Sequence, residues 1–172
     1  MRTMKRVYLL RHAKSSWKES GVPDHDRPLA RRGRRAAKAI ARHLREQGIE
    51  PELVLCSTAR RARETLERIE PALGTPVVRF ERELYGASAG VLLDRLHGIP
   101  EPVGSVMLIG HHPALQLLAL DLARPAPSLR ELETKFPTAG LATLAFPGAS
   151  WWALDRGTAE LTDFVKPREL EQ

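Results

Sequence analysis

Three short stretches place groups that can hold an anion beside groups that can attack one. Arg11-His12-Ala13-Lys14 follows directly on the apolar run VYLL, Ser57 precedes Arg60, Arg61 and Arg63 in CSTARRARET, and Gly110-His111-His112 closes SVMLIG. An imidazole near neutral pH serves as nucleophile or as general acid–base. A guanidinium grips a phosphate or carboxylate through two parallel hydrogen bonds. Arginines and imidazoles gathered at one place therefore suit an anionic ligand. A metal centre fits less well. His111 and His112 are adjacent, not four apart on a helix, and the lone Cys56 has no CxxC partner.

Whether these groups meet depends on the elements that carry them. RVYLL, ELVLCS, PVVRF and SVMLIG read as strands, alternating with helical patterns. A basic helix is predicted from about Ala30 to Gln47, stopped by Gly48. Others are predicted in ARRARETLERIEPAL, over 88–97, and in PALQLLALDLA with its proline in the first turn. GLATLAF and TAELTDFV read as late strands pairing antiparallel at an edge, joined by the hairpin-like PGASWWALDRG. The loop over 124–137 is the only stretch long enough for a mobile flap. The pattern predicts an α/β fold, a three-layer α/β/α sandwich with a mostly parallel central sheet, as one domain over 1–172. In such sheets ligands bind beyond the carboxyl ends of the strands. Arg11-His12, Ser57 and Gly110-His111 are all expected there.

Composition narrows the class. The 172 residues are 42% hydrophobic and 28% charged, an ordinary globular balance. No apolar run approaches the roughly 20 residues of a membrane span, and the N-terminus enters a strand with no signal-like apolar segment. One cysteine excludes an internal disulfide and suits a reducing, cytoplasmic setting. The 27 basic and 21 acidic residues leave a net charge of +6. Seven of the bases lie in RRGRRAAKAIARHLRE, opposite the apolar positions Ala36, Ala37, Ile40 and Leu44. That face reads first as solvated surface and second as a dock for an acidic or phosphorylated partner. Nucleic acid is the least supported reading, because no zinc-finger spacing, RNP-like aromatic run or GxxG clamp is present.

In this frame LLRHAKSSW resembles the Arg-His-Gly signature of the histidine phosphatase (phosphoglycerate mutase-like) superfamily, with Ala13 in place of glycine. CSTARRARET resembles its Ser-x-x-x-Arg-Ala-x-x-Thr segment and singles out Arg61; MLIGHHPAL resembles its later Gly-His segment and singles out His111. RHAKSSW, DRPLARRG, LYGAS, GHHPAL, KFPTAGLA and DFVKPREL look like the small SixA-type phosphohistidine phosphatases. These matches spread over nearly the whole chain.

The resemblance implies a phosphoglycerate mutase-like fold and a metal-independent phosphatase that needs no cofactor. His12 would carry the phosphoryl group, Arg11 and Arg61 would bind its oxygens, and His111 would donate a further hydrogen bond. Lys14, Ser15 and Lys18 flank the nucleophile as candidate substrate-binding groups. Superfamily members acting on esters place an acid before the Leu-Tyr-Gly-like region, where this chain has Arg82 between Glu81 and Glu83. The implied substrate is a phosphorylated protein, for example a histidine-containing phosphotransfer domain; no nucleic acid and no membrane are expected. A phosphatase or mutase of small phosphate esters, and a phosphate-binding module without turnover, stand as alternatives.

Overall fold

The computed structural model describes residues 4–171. Its six strands are β1 (Met4–Arg11), β2 (Leu53–Ser57), β3 (Val77–Glu81), β4 (Ser105–Gly110), β5 (Leu141–Pro147) and β6 (Glu160–Val165). They form one sheet in the order β3-β2-β4-β1-β5-β6. The first four are parallel, whereas β5 runs antiparallel to β1 and β6 antiparallel to β5. The mostly parallel sheet with an antiparallel edge is the architecture expected from the alternating pattern.

Strand alternation builds the layers. Val7, Leu9, Leu53, Leu55, Val106 and Leu108 face one core, under helices α3 (Ala89–His97) and α4 (Ala114–Leu122). Tyr8, Leu10, Val54, Cys56, Met107 and Ile109 face the other, under α1 (Arg31–Gln47) and α2 (Arg60–Ile69). Both faces of the central strands are covered, so their sequences are continuously apolar. Leu9 and Leu10 are wholly buried, each stabilised by roughly 1.5–3 kcal/mol relative to exposure. The strand that delivers His12 is thereby pinned on both faces.

Two local expectations change. The 124–137 stretch is no flap: it holds a short helix, α5 (Leu129–Thr134), with Leu129, Leu132 and Phe136 buried against the core. Two leucines three apart supply a helical contact face that the surrounding prolines obscured. Pro113 caps α4 rather than sitting in its first turn. A final short helix, α6 (Pro167–Leu170), lies in the stretch DFVKPREL. No helix among the described residues is long and apolar enough to cross a membrane.

Candidate active site

β1 ends at Arg11, so His12 is the first residue beyond the sheet, and its backbone is clamped from three sides. The His12 N–H donates to the Gly110 carbonyl at the end of β4 at 3.1 Å. Its own carbonyl accepts from the Ala139 N–H at 3.1 Å, with Ala139 held at φ 60°. That left-handed conformation is strained for a residue with a Cβ and is kept by the surrounding contacts. The Ala13 N–H donates to Thr65 Oγ1 on α2 at 2.9 Å, and Thr65 Oγ1 donates to the Arg61 carbonyl at 2.7 Å. Thr65 thus ties the His12 loop to the helix that carries Arg61.

The His12 ring is buried, and its Nδ1 lies 2.8 Å from the Ala13 carbonyl. A carbonyl only accepts, so Nδ1 carries the hydrogen and Nε2 keeps its lone pair. Burial above all, joined by His111, Arg61 and Arg11, pushes the pKa down to about 3 despite the Ala13 contact. His12 is a neutral imidazole at pH 7, which is the nucleophilic form. The His111 ring centroid is 5.2 Å away. Its Nε2 lies 2.7 Å from Ser57 Oγ, and burial, then Arg61, holds its pKa near 4. Ser57 Oγ also accepts from the Ala59 N–H at 3.2 Å, so its own hydrogen is free for His111.

The arginines come from different elements. Arg11 Nη1 donates to the Phe136 carbonyl at 2.8 Å. Arg61 is 6% exposed; its Nη1 donates to the Asp24 carbonyl at 2.7 Å and its Nη2 to Asp24 Oδ2 at 3.0 Å. The Nε–H of each arginine is buried with no acceptor among the described residues. A buried donor left unpaired is costly, and an oxyanion would supply the missing acceptors.

Arg11, His12, Arg61 and His111 line one cavity of about 610 Å³. Lys14 and Ser15 line it as well, Lys14 exposed and Ser15 buried with its Oγ accepting from Arg27 Nη1 at 2.7 Å. Lys18 does not: it is exposed and stands outside the lining. Glu81 and Glu83 stand outside it too. Glu81 forms a bidentate pair with Arg95 at 2.6 and 2.9 Å. Cys56 is buried, its thiol pushed up to about 12 mainly by burial, and is unreactive. No group of three or more His, Cys, Asp or Glu that could hold a metal ion occurs among the described residues.

Among the lining residues that escaped the sequence reading are the polar side chains of Asp24, Arg27 and Tyr85. Asp24 lies in a single 3-10 turn, Asp24–Asp26. Its Oδ2 accepts from the Tyr85 hydroxyl at 2.6 Å and its Oδ1 from Arg27 Nε at 3.2 Å. The Tyr85 hydrogen bond, with Arg61 and Arg27, lowers its pKa to about 2. The clue was faint: Asp24 lies just before DRPLARRG, and Tyr85 inside LYGAS. The guanidinium of Arg27 stacks on Trp17, 3.5 Å from the ring centroid, at the cavity's exposed rim.

A model of the histidine phosphatase superfamily (branch 1) matches residues 7–97. An uncharacterized protein of Mycobacterium tuberculosis is 37% identical over 163 residues, covering 92% of this chain and 100% of its own length. Another from Mycobacterium leprae is 37% identical over 165 residues, covering 92% and 100%. Among solved structures, a Nakamurella multipartitia protein assigned by name as a phosphohistidine phosphatase SixA superposes with a TM-score of 0.83. It is 32% identical, with 95% of this chain and 96% of that chain covered. The protein histidine phosphatase SixA complexed with tungstate gives 0.78 at 25% identity, covering 96% and 99%. The chain belongs to the histidine phosphatase superfamily, and the activity of its class is that of a phosphatase.

Proposed function

We propose that the chain is one histidine phosphatase domain that removes phosphate from protein phosphohistidine, with no metal or other cofactor, in the cytoplasm. His12 Nε2 attacks phosphorus, the substrate's P–N bond breaks, and its imidazole leaves. Water then attacks the phosphoryl group on His12, releasing inorganic phosphate and restoring the ring. Arg11 and Arg61 hold the phosphoryl oxygens, His111 hydrogen-bonds the charge that moves between them, and Lys14 attracts the substrate at the cavity mouth. Tungstate is a tetrahedral oxyanion like phosphate, so its presence in a SixA neighbour accords with this use of the cavity.

The observation that carries this reading is the protonation pattern of the cavity. Among the described residues its one lining carboxylate is Asp24, which has a pKa near 2 and is ionised at neutral pH. It has no proton to give. An ester's alkoxide is strongly basic and leaves slowly without a donor. A substrate imidazole, with an ordinary pKa of about 6.5, can pick up a proton on its distal nitrogen and leave neutral. The small-ester alternative wants Glu81 or Glu83 in the cavity, and Glu81 is fork-paired to Arg95.

The test is hydrolysis of phosphohistidine peptide, phosphoserine peptide and sugar phosphates side by side in EDTA. Phosphohistidine is expected to turn over much faster, with an acid-labile phosphoenzyme that vanishes in His12→Ala. Rapid ester hydrolysis would overturn the reading in favour of the small-ester enzyme. Turnover by His12→Ala at the wild-type rate would remove its nucleophile.

A further inference from the structure

Next to the catalytic cavity lies a second depression of about 630 Å³, lined from four separate parts of the chain. Lys14 comes from the loop after β1, Arg32 and Arg35 from the start of α1, Arg130 from α5, Lys135 from just beyond it, and Arg168 from α6. All six are exposed. None has a carboxylate within 4.0 Å among the described residues. A seventh lining cation, Lys166, is already taken by Glu131 at 3.5 Å and Glu169 at 3.8 Å. The remaining lining carboxylate, Glu171, faces six uncompensated cations.

Like charges packed into one concave surface repel one another, and that field lowers the energy of an anion that enters. The depression also adjoins the catalytic cavity, because Lys14 and Thr138 line both. We propose that this groove docks an acidic segment of the substrate polypeptide while the phosphorylated side chain of that polypeptide occupies the catalytic cavity. The proposal rests on the phosphohistidine reading for what enters the cavity, and it adds how the protein is chosen.

A polypeptide suits the groove better than a nucleic acid. Single-stranded nucleic acids are held by aromatic side chains on which bases stack, together with basic side chains that follow the backbone. Among the described residues no aromatic ring lines this groove; the cations are interspersed with Ala36, Thr134, Pro137 and Pro167. Small and aliphatic surfaces of that kind accommodate peptide backbone, and the cations meet Asp and Glu side chains.

The experiment uses Arg32→Glu/Arg35→Glu and, separately, Lys135→Glu/Arg168→Glu, four exposed positions outside the catalytic cavity. Two substrates are compared: free phosphohistidine, and phosphohistidine within a peptide rich in Asp and Glu. Each double variant is expected to lower kcat/KM on the acidic peptide about tenfold, through KM, with a loss that shrinks in high salt. Free phosphohistidine should be hydrolysed at the wild-type rate. Equal loss on both substrates, or none on the peptide, overturns the groove.

A binding arm keeps the two readings separable. Anisotropy of a fluorescent Asp/Glu-rich peptide without phosphate should show binding to the wild type that both double variants weaken. If the peptide binds in this way but neither phosphohistidine substrate is hydrolysed, the phosphohistidine reading fails and the groove stands. If a single-stranded oligonucleotide of equal charge binds more tightly than the peptide, and the same variants abolish it, the acidic-polypeptide occupant is wrong.

Discussion

Asp24 grips Arg61 twice, its carbonyl oxygen taking Nη1–H at 2.7 Å and its carboxylate taking Nη2–H at 3.0 Å. A negative charge therefore sits inside a cavity whose other charged walls are cationic. It orients the arginine, yet it also opposes any phosphate that approaches.

Asp24→Asn separates those two effects. The amide keeps an acceptor near Arg61 and the backbone contact is untouched, so the arginine stays oriented while the opposing charge disappears. Unit charges several ångströms apart interact by about 1–3 kcal/mol at an effective dielectric near 20. Inhibition by inorganic phosphate is expected to tighten by roughly tenfold, about 1.4 kcal/mol. Weaker phosphate inhibition in the variant would show that orientation, rather than charge, is what Asp24 contributes.

Arg61 and Arg63 are two residues apart on α2, and the fold treats them oppositely. Arg61 is buried against the cavity and Arg63 is exposed outside its lining. Losing a charge-assisted contact to the transition state costs roughly 2–4 kcal/mol, about 30- to 1,000-fold in rate. Arg61→Ala is expected to fall in that range, and Arg63→Ala to stay within a few fold of wild type. Steady-state kinetics on both variants checks the assignment, and equal losses would contradict it.

The histidines set the pH response. His12 and His111 have pKa values near 3 and 4 in the fold, below the ordinary 6.5, chiefly because burial disfavours their charged forms. Between those values the unfolded chain binds more protons than the folded one. Their contribution to stability is thus complete above about pH 6.5 and lost as pH falls toward 4 and 3. Chemical denaturation at pH 7, 5.5 and 4.5 should show stability falling with acidity, less steeply in His12→Asn. In the same range the His12 and His111 rings should show no titration near pH 6.5, which NMR of their imidazole carbons in the substrate-free protein checks.

Gly33 supports the site from α1. A Cβ there would sit 2.1 Å from the Lys14 carbonyl oxygen and 2.9 Å from its carbonyl carbon, both backbone atoms that cannot swing aside. Overpacking of this kind typically costs about 1–3 kcal/mol. Gly33→Ala is expected to lower the melting temperature and reduce kcat together, because the displaced loop adjoins His12. A Gly48→Ala control, at φ 63° with open space around it, should lose stability without touching kcat.

Much of this molecule is written in local pattern. Continuous apolar runs in β1, β2 and β4 announce strands buried on both faces, since only a sheet covered on each side makes every residue apolar. Gly48 marks the end of α1 because the chain turns there through a left-handed conformation. The stretches that carry Arg11, His12, Arg61 and His111 were legible as candidates because each stands at a strand's end or the following turn, where a parallel sheet places its ligands. The choice of Arg61 over Arg60 and Arg63, and of His111, came from the family resemblance. What the tertiary structure alone decided is pairing across long separations. Asp24 meets Arg61 and Tyr85, Glu81 turns to Arg95 instead of the cavity, and cations from position 14 to position 168 line one groove. Such contacts follow from how loops and helices pack in three dimensions, and charged residues carry no periodicity that would reveal it.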